Sequence, residues 1–326
     1  MFPQRAQRLD PSLPIRDSEL LIDVERLNID AASFRQMSEA AGGDRDRVKE
    51  LIRTTVRERG KMHNPVTGSG GMLVGRIAEI GSKHPAREQL RPGDRVATLV
   101  SLTLTPLVLD EVLEIHSTDQ VEVRGKAILF ASGLYAKLPA DLPPSVALAA
   151  FDVCGAPAML TRYLRPGMTV LVLGGGKSGI LCLAQARRSM AGQGLLLVAD
   201  KSSSVLKELA DVGLCDATMA IDASDALAVM NQVARLTQGT LCDLAINCAS
   251  MPNTEMSTLL SVRQGGRAIF FSMATSFTAA ALGAEGMGKD VEMLVGNGYV
   301  PGHAELTLDL LRSAPELRKL FERRYG

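Results

Sequence analysis

The chain has no excess of charge of either sign. Lys+Arg and Asp+Glu stand at 36 each among 326 residues, so no net field draws it to nucleic acid or an anionic membrane. A long hydrophobic run is also missing: the most apolar window, Val146 to Leu160, is interrupted by Asp152, and Met1-Phe-Pro-Gln-Arg lacks a basic start followed by an apolar stretch. These absences lead to the expectation of a soluble, cytoplasmic protein with a small-molecule partner. The five cysteines, Cys154, Cys182, Cys215, Cys242 and Cys248, form no C-x-x-C pair, which fits buried thiols in a reducing compartment and argues against a disulfide framework. No internal repeat or low-complexity tract is present.

What is there is concentrated in Val170-Leu-Val-Leu-Gly-Gly-Gly-Lys-Ser-Gly179. A short apolar run feeds a turn matching G-x-G-x-x-G at Gly174, Gly176 and Gly179, and a second run, Leu195 to Ala199, ends on Asp200, 21 residues after the last glycine. That arrangement reads as strand, phosphate-binding turn, helix and second strand tipped by a ribose-holding carboxylate. Glycine is needed because a pyrophosphate reaches backbone N–H groups at a helix N-terminus only where no side chain blocks it. Asp200 can accept from both ribose hydroxyls and would repel a 2′-phosphate, which favours NAD over NADP; Lys201 beside it pulls the other way. A phosphate-binding P-loop is excluded, because G-x-x-x-x-G-K-[ST] requires glycine where Leu171 stands. Lys177 and Ser178, inside the turn, complete the cofactor candidates there.

From Val170 onward, strand-like runs (170–173, 195–199, 217–221, 243–248, 268–273, 291–295) alternate with helix candidates (180–190, 205–212, 226–236, 254–262), with Gly213, Gly239 and Gly265 at expected helix stops. Such alternation demands parallel strands with right-handed crossovers: an α/β, doubly wound Rossmann sheet. Cys248, after Asn247, and Ser272 with Met273 end two of its strands, where ligands of such sheets lie. The first ~145 residues have a β-rich texture, with strands at 20–27, 72–80 and 95–100, a helix-rich segment from Ser33 to Glu58, and Arg91-Pro-Gly-Asp94 as a turn. A last helix, Ala304 to Phe321, follows Pro301-Gly302. The expected domains are 1–145, with residues 301–326 returning to it, and 146–300 for the dinucleotide.

The turn-strand Pro92-Gly-Asp-Arg-Val-Ala97, the glycine loop and the returning helix together resemble the medium-chain dehydrogenase/reductase superfamily, whose N-terminal catalytic domain is GroES-like. In its zinc alcohol dehydrogenases a Gly-His-Glu-x-x-Gly segment serves metal chemistry; the corresponding stretch here is Gly70-Gly-Met-Leu-Val-Gly75. Gly71 and Met72 offer zinc no nitrogen or oxygen, and Asp30 stands where the first cysteine ligand would be. The four-cysteine zinc lobe is missing too, so the resemblance implies no metal. More narrowly, Asn64-Pro-Val-Thr-Gly-Ser-Gly-Gly-Met72, Ala97-Thr-Leu-Val-Ser-Leu-Thr-Leu-Thr-Pro106 and Asp152-Val-Cys-Gly-Ala-Pro157 resemble the L-erythro-3,5-diaminohexanoate dehydrogenase family of anaerobic lysine fermentation. That resemblance implies NAD-dependent oxidative deamination at C3 of the diamino acid, giving 5-amino-3-oxohexanoate and ammonia. It also implies a homodimer paired through the strand Val291–Val295.

Amine oxidation requires a general base, a water-positioning group, and polar partners for a charged substrate. Asp30 is the first candidate for base or ammonium anchor, because the superfamily architecture turns that position toward the nicotinamide; the plainer reading is a carboxylate capping the helix that follows. Asp152, a lone charge in an apolar run, serves either the site or a buried ion pair. His63 titrates in the right range but follows Arg59-Gly-Lys-Met in a basic, surface-like stretch. Asn64, Thr67 and Ser69 form a donor-rich loop suited to substrate binding or to an ordinary turn. Glu111 stays a substrate-binding candidate, with Glu114 and Glu122 on solvated faces. Two other functions compete: a zinc-free NADPH enal or quinone reductase, with few acids in its cleft, and a non-catalytic NAD(H)-binding sensor.

Overall fold

A computed structural model describes residues 5–116, 119–272, 274–296 and 298–326. Contacts divide the chain into two compact units, 1–152 with Tyr325 and Gly326, and 153–324.

The first unit is built on an antiparallel sheet. Its elements are β1 (Glu19–Asn28), α1 (Ala31–Ala40), α2 (Arg45–Arg59), β2 (Met72–Ile80), β3 (Arg95–Thr98), β4 (Leu107–Ile115), β5 (Gln120–Phe130), β6 (Tyr135–Lys137) and α3 (Pro144–Asp152), and the sheet order is β4-β5-β1-β2-β3-β6. Strand β1 carries Leu20, Ile22 and Val24 into the core; a register shift between Val24 and Arg26 then moves the alternation by one, so Leu27 and Ile29 also enter it. Helix α2 starts at Asp44, whose carboxylate accepts from the N–H groups of Asp46 and Arg47, and buries Val48, Ile52 and Val56, one stripe at i, i+4 spacing. It stops at Gly60, whose positive φ of 59° suits glycine; a Cβ there would lie 2.1 Å from the Leu9 carbonyl oxygen.

The second unit contains α4 (Gly155–Leu160), β7 (Thr169–Leu173), α5 (Lys177–Ser189), β8 (Leu195–Asp200), α6 (Ser203–Asp211), β9 (Ala217–Ala220), α7 (Ala226–Leu236), β10 (Cys242–Asn247), α8 (Glu255–Leu260), β11 (Val262–Phe270), α9 (Phe277–Gly286), β12 (Val291–Val295), α10 (His303–Ser313) and α11 (Pro315–Tyr325). Its six strands run parallel in the order β12-β11-β10-β7-β8-β9. The order reverses at β7 and β10, the switch point where a doubly wound sheet binds its ligand. Leu171, Leu173, Leu197, Ala199 and Ala245 are fully buried in this sheet, as expected of strands covered on both faces.

The α/β, doubly wound class with a β-rich first unit is what the alternation of elements implied. Strands β4 and β5 and helix α9 were not foreseen. The boundary falls at 152/153 instead of 145/146. The residues expected to return to the first unit cluster with the second as far as Arg324, where α10 packs on α4 and α5. Proline at 315 divides the expected single C-terminal helix in two.

Candidate functional site

The glycine turn between β7 and α5 has the geometry of an anion cradle. Gly174 has φ of +94°, and a Cβ on it would meet the Cys248–Ala249 backbone at about 3 Å. Gly179 lies so close beneath the turn that a Cβ would sit 1.9 Å from the Gly174 carbonyl oxygen. Gly176, the N-cap of α5, has no atom within 4 Å of its Cβ position, and no side chain caps the helix there. Two glycines therefore allow close packing, while the third leaves open the approach to N–H groups at the positive end of a 13-residue helix. Lys177 and Ser178 open that helix.

Asp200 ends β8 in the expected place. Its Oδ2 accepts from Gly175 N at 2.8 Å and its Oδ1 from Ser202 N at 2.9 Å, so the carboxylate is fixed while each oxygen keeps a further lone pair. Lys201 is exposed. Arg324 braces the turn from below: its Nη1 donates to the Gly175 carbonyl at 3.0 Å and its Nε to Glu208 at 2.8 Å. The Cys248 thiol turns away from the turn into the interior, 3.9 Å from the Cys182 sulfur, and burial together with Cys248 pushes the Cys182 thiol well up; the backbone of Cys248, not its sulfur, faces the glycines. Ser272 is buried after β11 and accepts from Ala274 N. Met273 lies outside the described residues.

In the first unit the end of β1 and the loop 61–71 are packed together. Asp30 caps α1, its Oδ1 accepting from Ser33 N at 3.0 Å. Its Oδ2 is buried with no hydrogen-bond partner, so the capping role leaves half the carboxylate free. Ser33 and Thr67 hydroxyls lie 2.5 Å apart, and Ser69 N donates to Thr67. Asn64 is buried and internally committed: it donates to Gln36 and the Ser33 carbonyl and accepts from Val66 and Thr67 N–H groups. It builds the loop; Thr67 and Ser69 are half-buried beside it. His63 is half-buried with Nδ1 unpartnered, and burial, then Lys61 and Arg59, hold its pKa below the usual value.

The stretch around His63 is not the basic surface its composition suggests. Lys61 is fully buried, donates to the Thr103 carbonyl at 3.0 Å, and has its pKa lowered by burial and by Arg59. Nor was Asn28 foreseen; it is fully buried, with both amide atoms unpartnered. A polar residue alternating with Leu27 and Ile29 reads in sequence as a solvated strand face, so only the packing reveals it. Glu111 pairs with Arg124 on the exposed surface of β4 and β5, away from the 28–33 and 61–71 segments in the chain. Asp152 ends α3, half-buried between buried Phe151 and Val153.

Gly71 is held to glycine by its own backbone. Its φ is +87°, and a Cβ would lie 1.9 Å from the Asn28 carbonyl oxygen. Gly71 brings no side chain to this position, and Met72 beside it brings only a thioether. Among the described residues, Glu114, His116 and Glu122 bring ligand atoms within 4.8 Å of one another, but on β4 and β5, and Glu122 is already paired with Arg26 at 2.7 Å.

Comparisons with known proteins bear on both units. Residues 1–139 match the family model described as the L-erythro-3,5-diaminohexanoate dehydrogenase N-terminal domain. The L-erythro-3,5-diaminohexanoate dehydrogenase of Acetoanaerobium sticklandii is 47% identical over 326 residues, covering 99% of this chain and 95% of that protein. Two solved structures share the fold: an alcohol dehydrogenase from Thermotoga maritima (TM-score 0.60, 15% identity, 96% of this chain and 86% of that one) and a mycobacterial protein complexed with NADPH (TM-score 0.64, 18% identity, 97% and 92%).

Proposed function

The chain belongs to the L-erythro-3,5-diaminohexanoate dehydrogenase family, oxidoreductases acting on amino groups, and from that premise we propose that it deaminates this diamino acid oxidatively at C3. The products are 5-amino-3-oxohexanoate and ammonia, the cofactor is NAD⁺, and no catalytic zinc takes part. The observation that carries the reading is the unpartnered Oδ2 of Asp30. It is a base at the position of a superfamily zinc ligand, beside a glycine whose backbone leaves no room for a metal-binding side chain.

Asp30 Oδ2 takes a proton from the C3 ammonium, and its Oδ1, held by Ser33 N–H, keeps the carboxylate oriented. A nicotinamide cofactor held by the glycine turn would supply the hydride acceptor for C3. The resulting iminium is attacked at carbon by water and collapses to ketone and ammonia, so amine, NAD⁺ and water balance against ketone, ammonium, NADH and one proton. His63, held neutral by its surroundings, accepts a proton from that water. Thr67 and Ser69 supply hydroxyl donors to the substrate carboxylate, and Asp152 offers the second ammonium an anionic partner. Asp200 would hold the adenosine ribose of that cofactor, and Gly174, Gly176 and Gly179 would admit its pyrophosphate.

Two further expectations accompany this reading. β12 pairs with β11 on one side, and Met293 and Val295 are exposed on it, which suits pairing with a second copy into a homodimer. No helix among the described residues is long and apolar enough to cross a membrane, in keeping with a cytoplasmic enzyme.

The test is NADH formation followed by absorbance with L-erythro-3,5-diaminohexanoate, simple amino acids and alcohols, each with NAD⁺ or NADP⁺ and with or without chelator. Chelator-insensitive, NAD⁺-dependent turnover confined to the diamino acid is expected. NADPH-linked reduction of an enal or quinone, or NADH binding without turnover of any substrate, would replace this reading with the reductase or the sensor.

A further inference from the structure

The end of β1 presents two polar side chains that the fold leaves unanswered. Side chains alternate along an extended chain; the ladder continues past Asn28, since Ile29 N donates to the Asp119 carbonyl, and Asp30 is extended at φ −59°, ψ 145°. Leu27 and Ile29 lie in the core, so Asn28 and Asp30 project together from the opposite side. Asn28 is fully buried, and neither its Oδ1 nor its Nδ2 has a partner. Such a group is costly unless something completes it.

The residues paired with it across the ladders do not do so. Directly across the ladders stand Met72 and Gln120. A thioether is a weak acceptor and no donor, and the Gln120 amide is spent on Arg26 at 2.9 Å and the Ser145 carbonyl at 3.0 Å. The Gly71 backbone closes against the Asn28 and Asp30 backbones, fixing both residues without satisfying either side chain. One amide acceptor, one amide donor and one carboxylate oxygen thus remain, on one side of the strand end.

We propose that Asn28 is a substrate-binding residue that recognises the β-amino acid unit, the carboxylate and the reacting ammonium two carbons away from it. This rests on the reaction proposed above. A primary amide carries its acceptor and donor side by side, and a β-amino acid presents an ammonium and a carboxylate that can fold to the same spacing. Oδ1 accepts from the C3 ammonium, which Asp30 Oδ2 also receives, while Nδ2 donates to the C1 carboxylate. An α-amino acid sets these groups closer together and an alkylamine lacks the anion, so Asn28 provides selectivity that Asp30 alone would not.

The experiment compares wild type with Asn28→Asp and Asn28→Ala, reading kcat and KM for the diamino acid, NADH affinity, melting temperature, and inhibition by 3-aminobutanoate against 2-aminobutane. Asp keeps the side chain's shape and sets a carboxylate against the substrate's own, Ala removes the amide altogether, and the melting temperature separates the folding cost of either from a loss of recognition. The expected result is a KM raised about tenfold or more in Asn28→Asp, unchanged NADH affinity, and loss of the wild-type preference for 3-aminobutanoate over 2-aminobutane. A lowered melting temperature in both variants with KM and inhibitor preference unchanged would overturn the proposal, making Asn28 the site of a structural water. Should wild type turn over no diamino acid yet bind 3-aminobutanoate in an Asn28-dependent way, the reaction falls and the recognition stands.

Discussion

The two units each place a glycine-rich turn beside a carboxylate, and they use them in opposite ways. Around Gly174–Gly179 the backbone is left open, and the side chains serve to brace it: Asp200 and Arg324 both bond Gly175. Around Asn64–Gly71 the loop closes on itself through Asn64 and Thr67, and the unmatched groups are side chains, Asn28, Asp30 and His63. In the second unit the open groups are main-chain N–H groups at a helix end, and in the first they are side chains without partners.

This contrast can be broken at either end. The largest effect is expected from Asp30→Asn, which keeps a capping oxygen but removes the base: kcat should fall by about 10² to 10⁴, with NADH affinity and melting temperature near those of wild type. A parallel loss of NADH binding would show that Asp30 acts on the fold instead. Next come the tight glycines. Gly179→Ala and Gly71→Ala each set a Cβ 1.9 Å from a carbonyl oxygen and should each cost about 2–4 kcal/mol in denaturant unfolding. The first should weaken NADH binding and spare the substrate KM of whatever folds, the second the reverse; matching kinetic defects would erase the distinction between the units.

Asp200→Ala should lower NAD⁺ affinity by about tenfold to a hundredfold, the range for a lost hydrogen bond to a charged group, while narrowing the preference over NADP⁺. Titration against both cofactors reads this, and an unchanged ratio would remove Asp200 from cofactor choice. The smallest effect is a pH dependence common to both units. Burial holds His63 and His303 below their ordinary 6.5, so as pH falls the unfolded chain takes up protons first. Their contribution to stability is complete above about pH 6.5 and is lost as the pH drops through that value and on through the lowered folded values. Melting temperature should therefore decline from pH 7 to 5, and His63→Gln or His303→Gln should flatten the decline.

The same contrast governs what could be read from the sequence. Spacing of Gly174, Gly176, Gly179 and Asp200 is a one-dimensional record of backbone geometry, so the nucleotide-binding fold of the second unit was legible. Asp30 was singled out through resemblance and as a helix cap; the cap is what the structure shows, and the unpartnered Oδ2 is what packing adds. Asn28 and Lys61 were not: the register shift after Val24 moves the alternation, and a lysine following Arg59 gives no sign of being buried. Strands β4 and β5 escaped notice for a related reason. Shifts at Leu109/Glu111 and Val112/Glu114 break the period of two, and the charges of Glu111, Glu114, Glu122 and Arg124 read as loop.

The bond from Arg324 to the Gly175 carbonyl spans 149 residues. The glycine turn looks like a local motif, yet its carbonyl is tied by a side chain made far later in synthesis. On a ribosome, β7 and the start of α5 emerge long before α11, so a nascent chain presents the turn well ahead of the brace. The last bond to the turn is completed only once α11 has been made, after every strand of the sheet around it.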